Sequence, residues 1–134
     1  MNNFIRFLFL GILMIVFLTG CNEEALTGVK QLEVSDLSYR MADSIKNNDE
    51  AFYIDVREDY EFNEAYIEGF VNYPLSSFEQ TYQDLPKDKE IIVICRSGNR
   101  SMKAAAFLKE QGYENVTNIK GAMLDWKGET KSAN

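Results

Sequence analysis

Histidine is missing from this chain altogether. A Cys–His dyad, a common way to turn a thiol into a nucleophile, is therefore excluded. Cysteine is nearly missing: Cys21 and Cys95 are the two present. Cations are scarce, with 14 Lys and Arg against 21 Asp and Glu and a formal charge of −7. So acidic a chain is a poor candidate for nucleic acid or for attachment to anionic lipid by charge. No apolar run reaches the ~20 residues that a membrane-spanning helix needs. Internal repeats and low-complexity tracts are absent too. What remains is 134 residues, room for one domain, with an apolar share of 46% that suits a compact core rather than disorder.

The first residues are of another kind. Arg6 precedes "FLFLGILMIVFL", Phe7 to Leu18, twelve residues without a polar side chain. One cation, a short apolar stretch and then small residues are the layout of a secretory signal peptide. The run closes in "LTGC", Leu18 to Cys21, which resembles a bacterial lipobox. The resemblance implies a leader of residues 1–20 cleaved before Cys21, and a lipoprotein with diacylglycerol on the Cys21 sulfur and fatty acyl chains such as palmitate. It places the protein outside the cytoplasm, lipid-anchored to the cell membrane. A plain signal peptide or an uncleaved anchor is the competing reading. Asn22-Glu23-Glu24, acidic where a stop-transfer flank would be basic, favours the lipid. Loss of Arg6 with the leader would take the charge to about −8. Cys95 would then be the single free thiol, without a disulfide partner, and open to reaction.

Residues 21–28 form a polar spacer. From residue 29 to 127 strands alternate with helices, and 128–134 form a polar tail. "VKQLEV" alternates as an edge strand does. "SDLSYRMADSIKNND" predicts a helix capped by Ser35, with Leu37, Met41 and Ile45 inward. "AFYIDV" reads as a buried strand ending at Asp55, and "REDYEFNEAYIEG" as an acidic stretch with a short helix. "VNYPL" is a brief strand stopped by Pro74. Residues 76–90 read as a loop with a helical turn. "IIVI", Ile91 to Ile94, is the most apolar strand and suits the centre of a parallel sheet. "RSMKAAAFLKEQGY" is a strong helix ended by Gly112, with Met102, Ala105, Ala106 and Leu108 on one side. "NVTNI" is a last strand and "AMLDWK" a final helical turn. Such alternation argues for an α/β fold around a mostly parallel sheet flanked by helices. In such sheets ligands sit beyond the carboxyl ends of the strands, where Cys95 stands.

The loop after that strand is "CRSGNRS", Cys95 to Ser101. An unperturbed thiol, with a pKa of ~8.5, is mostly protonated at neutral pH. If Arg96 to Asn99 curl around the sulfur, their N–H groups make an anion-binding nest, with Gly98 permitting the turn. A helix starting near Arg100 adds its positive end, Arg100 a full charge, and Ser97 and Ser101 hydroxyls. The competing reading is a buried inert cysteine at a strand end. Two arginines, two serines and a glycine within six residues speak against it.

These residues resemble the active-site loop of rhodanese-type sulfurtransferases. "YIDVREDYEF", Tyr53 to Phe62, is similar to the family's Asp-Val-Arg segment, and "AYIEGFVNYPL" stands where the family shows Gly-His-Ile-x-Gly-Ala and an Asn-Ile-Pro strand. "GYENVTNIKGAMLDW", Gly112 to Trp126, is similar to the Gly-Tyr…Leu-x-Gly-Gly…Trp ending. Ala65 and Tyr66 replace the usual Gly-His, and Ala122 a second glycine. The resemblance implies a rhodanese-like fold with a five-stranded central sheet. It implies that the Cys95 thiolate takes sulfane sulfur from a small anionic donor such as thiosulfate, or from a persulfide, and passes it to a thiol, cyanide or protein acceptor. No metal or organic cofactor is implied, and no nucleic acid. Arg96 and Arg100 would attract the donor, or Arg100 would turn inward to brace the loop. Asp55 and Arg57 would support the sheet's carboxyl edge, Tyr113 and Trp126 would be core, and Glu58, Asp59, Glu61, Glu64 and Glu68 a solvated face. Two other functions stay open: a non-turnover sulfur carrier or persulfide sensor, and a phosphatase or arsenate reductase on the same fold.

Overall fold

The computed structural model describes residues 27–134. The expected leader, Cys21 and most of the 21–28 spacer lie outside the described residues. Among the described residues no helix is long and apolar enough to cross a membrane.

Five short strands make one sheet: β1 (Lys30–Glu33), β2 (Phe52–Asp55), β3 (Val71–Asn72), β4 (Ile91–Ile94) and β5 (Val116–Lys120). Their order is β1-β5-β4-β2-β3 and every pairing is parallel. Among the residues described after Thr27 the helices are α1 (Leu37–Asn47), α2 (Asp59–Glu64), α3 (Phe78–Thr81), α4 (Asn99–Glu110) and α5 (Ala122–Asp125). Short 3-10 turns at Leu75–Ser77 and Tyr82–Asp84 flank α3 in the stretch expected to be loop.

β4 is central because Ile91, Ile92, Val93 and Ile94 are β-branched and apolar on both faces, and all four are fully buried. Side chains alternate along a strand. Ile91, Val93 and Cys95 thus pack on one face with Ala104, Ala105 and Leu108 of α4. Ile92 and Ile94 pack on the other with Leu37, Phe70 and Ile119. The cysteine continues the inward row of a core strand, and that is how a thiol comes to be completely buried. The stripe that α4 buries is Ser101, Ala104, Ala105 and Leu108, whereas Met102 and Ala106 are half-buried.

α1 departs from expectation at both ends. Ser35 lies in a 3-10 turn, Val34–Asp36, and the helix starts two residues later without a side-chain cap. Leu37 is buried and Met41 half-buried, but Ile45 is 85% exposed. At 3.6 residues per turn, a residue eight positions on has rotated about 80° off the first one's face, whereas one seven positions on is nearly in line. Ser44 occupies that inward position, and its Oγ meets the Tyr53 hydroxyl at 3.0 Å. Residues after Trp126 fold back on the domain. Tyr66 and Lys131 pair as an antiparallel bridge, and the Ala133 N–H donates to the Asn63 carbonyl.

Candidate active site

The chain leaves β4 at Cys95 and turns into α4 within three residues, Arg96 to Gly98. Gly98 has φ +103°, which a side chain rarely tolerates. That turn brings the Gly98 N–H to 3.0 Å from the Cys95 Sγ. Ser101, one turn into α4 and fully buried, places its Oγ 3.3 Å from the sulfur and 3.1 Å from the Gly98 carbonyl. A hydroxyl has one proton and two lone pairs. With a thiol, S–H donates to Ser101, which donates to Gly98. With a thiolate, the Ser101 hydroxyl turns to donate to sulfur. The cradle serves both protonation states without moving a heavy atom. From below, the Met123 and Leu124 N–H groups donate to the Cys95 and Arg96 carbonyls, so α5 fixes the loop's start.

The two loop arginines part company. Arg100 turns onto α2, where its Nη1 and Nη2 donate to the two carboxylate oxygens of Glu61 at 2.6 and 2.8 Å. This is a bidentate pair, the stronger geometry for a guanidinium. The Arg100 hydrogen bond is the main force holding the Glu61 carboxyl down to about 2, with burial opposing it. Arg100 is pushed up in return. Glu61 is thus not part of a solvated face, as its acidic surroundings suggest in sequence. Glu58 is not either: it caps α2 reciprocally with Glu61, and its Oε2 accepts from Ser76 Oγ at 2.7 Å. The Glu58-x-x-Glu61 spacing of a capping box is the signal that could have marked both.

Arg96 is exposed, and it forms no ion pair or hydrogen bond with its side chain among the described residues. It lines a cavity of about 260 Å³ with Glu61, Glu64, Ala65, Met123 and Leu124. Ser97 and Asn99 point to another side, a cavity of about 190 Å³ that also reaches Asn118 and Lys120. Asp55 and Arg57 form a buried pair: Nη2 lies 2.6 Å from Oδ2, and both side chains are under a tenth exposed. Arg57 also donates to the Ala65 carbonyl at 2.8 Å, and Asn72 Nδ2 to the Asp55 and Arg57 carbonyls. Their bonds tie β2, α2 and β3 together, which is structural work. No group of three or more acidic or thiol side chains among the described residues is gathered as a metal site.

The cysteine is thus held at the end of the central strand by a glycine turn and the start of α4. The Rhodanese-like domain family matches residues 39–129. This chain is a member of the rhodanese family. YtwF of Bacillus subtilis is 39% identical over 104 residues, which cover 77% of this chain and all of that protein. A protein of Allochromatium vinosum named Sulfurtransferase is 31% identical over 98 residues, covering 73% of this chain and 88% of its own. The Rhodanese-like domain protein from Staphylococcus aureus superposes with a TM-score of 0.68 at 21% identity, over 79% of this chain and all of that one. The fold is therefore rhodanese-like, and a sulfurtransferase-type activity goes with the family in its broad sense.

The rhodanese domain also explains its own departures. Tyr66, where histidine is usual, stacks on Phe62 with ring centroids 4.6 Å apart and pairs its backbone with Lys131. Ala65 has an extended backbone and needs no glycine. Ala122 does lie where glycine is favoured, with φ +50°, fully buried. The Met123 N–H that follows it is the one that reaches Cys95, so the strain sits beside the loop it positions.

Proposed function

We propose that this rhodanese domain is a sulfurtransferase that carries sulfane sulfur on Cys95, from thiosulfate or a persulfide donor to a thiophilic acceptor. The observation that carries the reading is the narrow cradle: a four-residue loop between Cys95 and Arg100, with the Gly98 N–H and Ser101 Oγ converging on one sulfur. In the first step the Cys95 thiolate attacks the outer sulfur of thiosulfate. A new S–S bond forms, the S–S bond to the sulfonate breaks, and its electron pair leaves with sulfite. In the second, cyanide or an acceptor thiolate attacks the outer sulfur of the persulfide, and Cys95 leaves as thiolate. This is covalent catalysis in two displacements. Arg96, unpaired at its cavity, is the cation we assign to the anionic donor. Arg100 is already paired and serves the loop.

The width of the loop argues against phosphoryl or arsenyl chemistry. A tetrahedral group with three equatorial oxygens needs a ring of donors wide enough to meet each one. A single sulfur atom needs less, and four intervening residues give less. Steady-state kinetics with thiosulfate and cyanide should show parallel double-reciprocal lines, the mark of two displacements. Efficient aryl phosphate hydrolysis without sulfur transfer would contradict the reading.

We also propose, from the leader's sequence, that Cys21 carries diacylglycerol and tethers the domain outside the cytoplasm. Two acyl chains are what stable retention requires, since one binds only marginally. Cys21→Ala should release the protein from extracted membranes. An unmodified Cys21 in the wild-type protein would contradict the anchor.

A further inference from the structure

We propose that Glu61 is a positioning residue for sulfur transfer: it fixes the Arg100 guanidinium beside the Cys95 loop without touching sulfur itself. The inference rests on the sulfurtransferase reading and goes one step past it.

Arg100 is the second residue of α4 and directly precedes Ser101, whose Oγ lies 3.3 Å from the Cys95 sulfur. An arginine on a helix's first turn is normally free to wander among many rotamers. Here both terminal nitrogens are seated in one carboxylate. The carboxylate is itself fixed, because Oε2 also accepts the Glu58 N–H at 3.0 Å. The backbone beneath it is fixed in turn: the Glu61 carbonyl lies 3.4 Å from Arg57 Nη1, and Arg57 is locked by Asp55. A chain of bonds thus runs from the buried Asp55–Arg57 pair through Glu61 to the helix that carries the cradle. A charge held in place before reaction costs no reorganisation when charge moves between Cys95 and the departing group.

The same pairing cancels much of the field of Arg100 at a distance, so donor capture is left to Arg96. The two effects separate in kinetics. Loosening Arg100 lowers turnover, but it does not weaken donor binding. A loss confined to kcat is the signature of an interaction used in the transition state.

Glu61→Gln makes the test clean, because glutamine serves equally at the third position of a capping box and leaves α2 its cap. With thiosulfate as donor and cyanide as acceptor, kcat should fall about tenfold or more, within what a misplaced group can cost. KM for thiosulfate should stay the same or drop. Arg100→Lys, which cannot make the bidentate bond, should lower kcat as well. The double variant should be no worse than the poorer single one, since both remove one interaction. An unchanged kcat in folded Glu61→Gln, a rise in KM alone, or additive losses in the double variant would each overturn the positioning role. Lower thermal stability with kcat per folded molecule intact would overturn it too. Wild-type protein that never gains sulfur from thiosulfate contradicts the sulfurtransferase reading itself, a failure distinct from an active wild type beside an equally active Glu61→Gln.

Discussion

A single atom, the Cys95 sulfur, depends on a backbone angle three residues away. At Gly98 an added Cβ would stand 3.7 Å from the Ile119 carbonyl oxygen, an ordinary contact, so space does not demand glycine there. The φ of +103° does. Gly98→Ala should therefore cost about 1–2 kcal/mol of stability, the usual penalty for a left-handed side chain. It should also impair sulfur transfer, because relaxing the turn withdraws the N–H that faces sulfur. Urea denaturation beside a thiosulfate:cyanide assay checks both, and a variant as stable and as active as wild type would refute the account of the turn. At this scale the Gly98 and Ser101 contacts to sulfur are legible in sequence, since glycine and serine follow the cysteine closely. Of the N–H groups expected from Arg96 to Asn99, however, it is Gly98's alone, among the described residues, that bonds the sulfur. The Glu61–Arg100 pair is not legible. The partners lie 39 residues apart, and an acidic helix that clamps an arginine has the same composition as one that only faces water.

Among the elements, strands read more clearly than helix faces. "IIVI" reads as the centre of a parallel sheet, since four β-branched apolar residues in a row suit burial on both faces. The α1 face reads wrongly from the sequence at Ile45, because apolar residues spaced by four drift around the helix, and the exposed Ile45 and buried Ser44 record that drift. The consequence is measurable. Leu37→Ala should cost about 2–5 kcal/mol, as for other buried leucines. Ile45→Ala should stay within about 0.5 kcal/mol, as surface changes do. Chemical denaturation of the two variants decides it, and comparable losses would mean that Ile45 is covered in solution. The short helix expected in the acidic stretch is present as α2, but its value lies in what it presents: Glu61 to one partner and Glu58 to another.

Across the whole molecule the acid side of the stability curve reports the α2–α4 clamp. Glu61 is held at about 2 in the folded state, below its ordinary 4.5. A depressed carboxyl stabilises the fold fully above its unfolded pKa, and that contribution is lost as pH falls through the folded one. The advantage of wild type over Glu61→Gln should accordingly be constant above about pH 5.5 and shrink between pH 4.5 and 2. Its size should be ~1–3 kcal/mol, allowing for partial exposure of the pair. Unfolding free energies along a pH series test this, and an advantage that grew on acidification would contradict it. The fold as a whole was legible because alternating strands and helices leave few other topologies. The return of the tail to Tyr66 was not, since a polar segment gives no periodicity to read. The central claim, that Cys95 carries sulfur, is tested most directly by intact mass. Exposed to thiosulfate, the wild-type domain should gain the mass of one sulfur atom and lose it again on addition of cyanide, while Cys95→Ser gains nothing. A wild-type mass that never changes, or a Cys95→Ser variant that gains and releases sulfur as readily, would contradict the account.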